Sequence, residues 1–137
     1  MAFATCTTTP AIPDETYQPA GVVSQLMGQA VELNDRSCGE SGTLAMTRPN
    51  IATQVRFRKH EEMVKGAQAL CRQQPASQIK VLTSCPSCLQ CLSRYDNDCG
   101  TTAEYIVVEM ARHLLGPDWM RQYVDKVNRG GIERVLL

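Results

Sequence analysis

The sequence predicts a helix-dominated α/β fold, and three observations carry that expectation. Short apolar runs of strand length alternate with longer segments of helical periodicity. Proline stands where helices should open and glycine where they should close. The run QIKVLTS, with Val81 and Leu82 in a short apolar stretch, reads as a buried strand. Parallel strands need crossovers, usually helical, so the expected architecture is a small, mainly parallel sheet of about three short strands flanked by about four or five helices.

The elements follow in order. Residues 1–17 are rich in threonine and proline, contain Cys6, and read as a flexible N-terminal segment preceding one domain over 18–137. Pro19 can open a helix in which Val22, Val23, Leu26 and Met27 share a face, and Gly28 ends it. Ala30 to Leu33 is a short strand candidate, followed by loop chemistry in NDRSCGESGTLAM. Pro49, with Thr47 as a cap before it, opens a helix that runs through good helix formers to the break at Pro75. QIKVLTS is the next strand, with CPSCLQC at its C-terminal end. Thr101 and Glu104 have capping-box spacing, which predicts a helix over TAEYIVVEMARHLL with Ala103, Val107, Met110, Ala111 and Leu114 on one side. Gly116 stops that helix and Pro117 starts another, striped by Trp119, Met120, Tyr123, Val124 and Val127 as core or as a face for docking another domain. Gly130 and Gly131 end it before a last short strand over residues 132–136.

Composition narrows the function. The 137 residues carry 14 Lys+Arg against 14 Asp+Glu, and a zero net charge gives no long-range attraction to nucleic acid or an anionic membrane. No apolar run approaches the ~20 residues of a membrane span. The N-terminus lacks the pattern of a signal peptide, so a reducing, cytoplasmic setting is expected. In that setting seven cysteines, an odd number, point to free thiols or metal ligands rather than a disulfide framework.

The cysteines concentrate the chemistry. Cys85 and Cys88 form a C-x-x-C at a strand end, a spacing that can chelate one metal, form a strained disulfide, or leave two thiols buried and inert. Cys91 extends the array to C-x2-C-x2-C, as in ferredoxin-type ligation, without the fourth cysteine and proline of that pattern. Cys38 lies in SCGESG, where Gly39 and Gly42 allow close backbone approach to a thiolate or cluster, or a simple glycine-rich turn. Cys71 and Cys99 read as incidental thiols. His113 follows Glu109 at i+4 as a solvent-side pair. His60 ends a basic run of Arg56, Arg58 and Lys59, either a solvated helix face or a docking patch for an acidic partner or a cofactor phosphate.

Ser37-Cys38-Gly39-Glu40-Ser41-Gly42-Thr43 resembles the Cys-Cys-Gly signature of the CCG cysteine-rich domain, with CPSC at 85–88 similar to its closing C-P-x-C and Cys6 at the position of its first cysteine. This domain occurs in heterodisulfide reductases and in glycerol-3-phosphate, lactate and glycolate oxidases. RPNIATQVRFRKHEEM, VLTSCPSCLQ and TTAEYIVVEMARHLLG further resemble the C-terminal end of FAD/FMN-binding, D-lactate-dehydrogenase-like oxidoreductases. The resemblance implies an electron-transfer module that is not catalytic alone. Cys6, Cys38, Cys85 and Cys88 would bind an iron–sulfur cluster, a 4Fe-4S cluster included, or zinc, with Gly39 and Gly42 beside it and Cys91 as a substitute ligand. Ser37 replaces the first cysteine of the pair, and a serine hydroxyl is a poor ligand for iron or zinc, so the set is four thiolates. FAD or FMN would sit on a partner or parent domain, since the chain has no G-x-G-x-x-G loop and is too short to hold a flavin domain as well. The alternative is a metal-free structural or docking domain of a larger oxidoreductase.

Overall fold

A computed structural model describes residues 2–6, 19–34, 36–40, 43–75 and 78–130, with residues 2–6, 19 and 20 placed by their backbone. The chain divides into two compact units, Met1–Ile106 and Val107–Leu137.

The first unit is built on four parallel strands in the order β2-β1-β3-β4. Strand β1 (Ala2–Cys6) lies between β2 (Val31–Asn34) and β3 (Ile79–Thr83), and β4 (Thr101–Tyr105) flanks β3. The registers are Phe3 to Val31 and Cys6 to Asn34 on one side of β1, and Ala2 to Ile79 and Thr5 to Leu82 on the other. Ile79 pairs with Thr101 and Thr83 with Tyr105. The fold class expected from the sequence is the one observed: α/β, helix-dominated, around a small parallel sheet.

Two expectations are corrected here. Residues 2–6 are not a loose segment but an interior strand, because their backbone pairs on both sides; the remainder of 7–18 lies outside the described residues. The capping box at Thr101 and Glu104 does not form. Both residues belong to β4, and the helix starts only at Ile106, as α6 (Ile106–Leu115). The paired Thr-Thr of β4 suits a pleated strand, and backbone bonds to β3 outweigh the local capping signal. The Glu104 carboxylate instead accepts from the Tyr105 N–H at 2.9 Å.

The helices cover both faces of the sheet. Adjacent residues of a strand face opposite ways, and β3 shows the consequence. Val81 joins a cluster with Met63, Ala67 and Leu70 of α3 (Pro49–Gln73) and Leu92 of α4 (Pro86–Leu92). Leu82 packs with Val23 of α1 (Pro19–Met27), beside Ile106. Burying each of these aliphatic side chains contributes about 1.5–3 kcal/mol. Proline stands at the first turn of α3 and α4, where its missing N–H costs nothing, and Gly28 closes α1 with φ +61°. Thr47 is not the cap of α3: it ends α2 (Leu44–Thr47), a short helix inside the expected loop, with its hydroxyl donating to the Thr43 carbonyl. A 3-10 turn (Ser93–Tyr95) and α5 (Asp96–Cys99) link α4 to β4, and Gly100 takes the left-handed conformation after α5.

The second unit holds most of α6 and all of α7 (Trp119–Gly130). The apolar stripe of α7 leaves Met120, Tyr123 and Val124 exposed, and Val107, Leu114 and Leu115 of α6 are exposed as well. Glu109 pairs with Arg112 one turn on. The expected strand over residues 132–136 lies outside the described residues.

Candidate functional site

In an open parallel sheet the loops after the strands converge at the carboxyl edge, above all where successive connections leave in opposite directions. Here that point lies between β1 and β3. Cys6 is the last residue of β1, one step beyond the Thr5–Leu82 pair. Cys85 follows β3 as the residue capping α4, and Cys88 lies one turn into that helix. The loop after β2 brings in Cys38.

The central contact joins two buried sulfurs. Cys38 Sγ and Cys88 Sγ are 3.2 Å apart, although the residues are separated by 50 positions in the chain. Cys91, one further turn along α4, is fully buried, and its Sγ donates to the Cys38 carbonyl at 2.9 Å. Cys85 is exposed, and its N–H donates to Thr83 Oγ1 at 3.2 Å, which fixes the turn from strand to helix. All six cysteines with described side chains are thiols.

Electrostatics separates these thiols. Hydrogen bonds from the backbone and side chain of Cys88, and then of Ser87, hold the Cys85 thiol below its ordinary value despite some desolvation. Burial, reinforced by the charges of Cys38 and Glu40, pushes the Cys91 thiol up to about 11. Cys99 is raised by burial and by Asp98 and Asp96.

The loop carrying Cys38 is held from three sides. Glu40 accepts from Arg56 at 3.1 Å and from Arg94 at 2.7 Å. Gly39 has φ +81°, and a Cβ there would lie 3.1 Å from Arg56 Cγ and 3.3 Å from Val55 Cγ1. Its need for glycine is thus accounted for by close packing on α3. Below the loop, the fully buried Lys59 donates to Asn34 Oδ1 at the end of β2, to the Arg36 carbonyl at 2.6 Å, and to Glu62 at 3.3 Å.

Of the expected site residues, Cys38, Cys85 and Cys88 come together, Cys91 turns inward beside them, and Cys6 ends the adjoining strand. Gly42 lies outside the described residues. Among the described residues, no group of three or more His, Cys, Asp or Glu side chains is arranged to hold a metal ion. Ser37 is exposed, and its Oγ accepts from the Gly39 N–H at 3.2 Å. His60 stacks on Tyr95, with ring centroids 5.6 Å apart. The roles of Lys59 and Glu40 emerge only from the fold. A signal for Lys59 is nonetheless present in the sequence, since it falls in register with Ala52, Met63, Ala67 and Leu70 on the buried face of α3.

The family described as "Domain of unknown function (DUF3400)" matches residues 93–137, less than half of the chain. No curated protein and no solved structure matches. No helix among the described residues is long and apolar enough to cross a membrane.

Proposed function

We propose that this chain is a cysteine-rich electron-transfer module of a flavin-linked oxidoreductase, whose thiolates hold an iron–sulfur cluster or a zinc ion. One observation carries the reading: the sulfurs of Cys38 and Cys88, distant in sequence, meet at 3.2 Å on the carboxyl edge of a parallel sheet. Cys85 stands on the same turn as Cys88, and Cys6 ends the neighbouring strand. Soft sulfur donors of this kind suit iron–sulfur clusters and zinc.

The residues divide the work. Cys38 and Cys88 would bind from the buried side, where they are shielded from solvent. Cys85 would bind from the rim, its thiolate already favoured by hydrogen bonds at the start of α4. Cys6 would complete the set, and Cys91 fixes the Cys38 backbone through its carbonyl. A bound cluster would supply one-electron transfer, whereas zinc would cross-link the two loops. The flavin, FAD or FMN, would reside on a partner or parent domain.

The test is metal analysis of protein prepared anaerobically with iron, alongside zinc loading. Stoichiometric iron with visible absorbance, or one zinc per chain, is expected. Cys38→Ser and Cys88→Ser should each lose the metal, and Cys71→Ser should retain it. A wild-type protein that takes up neither metal overturns the reading. That result would leave the second reading, a metal-free docking domain, which the exposed apolar residues of α6 and α7 favour.

A further inference from the structure

The basic run on α3 does not behave as one patch. Arg56 is paired with Glu40, and Lys59 is buried under the loop after β2. Arg58 does neither. It lines a cavity of about 450 Å³ with Val55, one turn earlier on the same helix face, and with Arg36 and Ser37 from the loop after β2. That volume falls within the range of small-molecule sites.

We propose that this cavity binds a doubly charged oxyanion, a phosphate group or an equivalent dianion on a small molecule. Two arginines from separate elements line it, and guanidinium geometry matches such oxygens through paired hydrogen bonds. Neither Arg36 nor Arg58 has an ion pair among the described residues, whereas the neighbouring carboxylates Glu40 and Glu62 are engaged by Arg56, Arg94 and Lys59. The Ser37 hydroxyl accepts from the Gly39 N–H, which leaves its own proton to donate to a ligand.

The walls are held in place. Lys59 Nζ grips the Arg36 carbonyl from beneath while bonded to Asn34 at the end of β2, so the loop is anchored at the residue that supplies one guanidinium. Gly39 lets the loop approach Val55 closely. The cavity also lies on the loop leaving the carboxyl end of a strand, the edge at which open parallel sheets receive ligands. Ser37 thereby acquires a role that its neighbour Cys38 does not share. Among the described residues, no cysteine lines the cavity, so the proposal does not depend on metal binding.

Calorimetric titration of the full chain with inorganic phosphate at low ionic strength tests it, with acetate and chloride as comparison anions. Phosphate should bind more tightly than either. Arg36→Gln and Arg58→Gln should each weaken phosphate binding by about ten-fold or more, and the double variant should abolish it. Arg121→Gln, on α7, should bind as the wild type does. Cys38→Ser/Cys88→Ser protein should still bind phosphate after losing any metal, which separates this test from that of the thiol site. Phosphate binding no tighter than chloride, or unchanged in the double arginine variant while circular dichroism shows it folded, overturns the proposal. Tighter binding of acetate than phosphate overturns the dianion assignment.

Discussion

At the residue scale, three positions at the thiol site have consequences that can be measured. Gly39 combines a left-handed φ with a backbone pressed on α3. Gly39→Ala should therefore destabilise the fold by about 1–3 kcal/mol, read as a lower urea midpoint. Cys91 is a titration marker in the metal-free protein. Its folded pKa is raised to about 11 from an ordinary 9.0, so folding favours the neutral thiol. That stabilisation is fully present below pH 9 and declines as pH rises toward 11, because the unfolded chain loses its proton first. Urea midpoints should fall over that window, and Cys91→Ala, although less stable at neutral pH, should fall less steeply. The Cys85 thiol is shifted the other way, so alkylation followed by mass spectrometry should label Cys85 at a lower pH than Cys91.

At the element scale, the loop after β2 depends on a buried amine. Lys59 reaches β2, the loop and its own helix through hydrogen bonds to Asn34, the Arg36 carbonyl and Glu62. Lys59→Ala would leave Asn34 and the Arg36 carbonyl without that donor in an interior site. It should cost about 3 kcal/mol or more in thermal or chemical unfolding. Cys38 and Arg36 share this loop, so the same change should also weaken phosphate and metal binding. The elements show unevenly what sequence can reveal. Pro49, Pro86 and Gly28 act through their own backbone limits, and α1, α3 and α4 begin or end where those limits dictate. The boundary at Thr101 is not legible in this way, because a capping box is a local pattern, whereas β4 is formed by its ladder to β3.

For the whole molecule, the parallel sheet makes the candidate sites. Its order carries β1 into the interior and turns the loops after β2 and β3 toward one edge. If the thiolates hold metal, binding and folding are coupled. Zinc loading should then raise the thermal midpoint of the wild-type chain, a chelator should reverse the gain, and Cys38→Ser/Cys88→Ser protein should show neither effect.

The α/β class, the buried strand β3, the long helix α3 and the C-x-x-C at the start of α4 are legible in the order of the amino acids. Each of these rests on periodicity or on residues whose conformational limits are intrinsic. Tertiary structure alone decided that residues 2–6 form an interior strand, that Cys38 meets Cys88, and that Arg36 and Arg58 border one cavity. Those outcomes join residues far apart in the chain. They arise from strand pairing and burial, which no local pattern encodes.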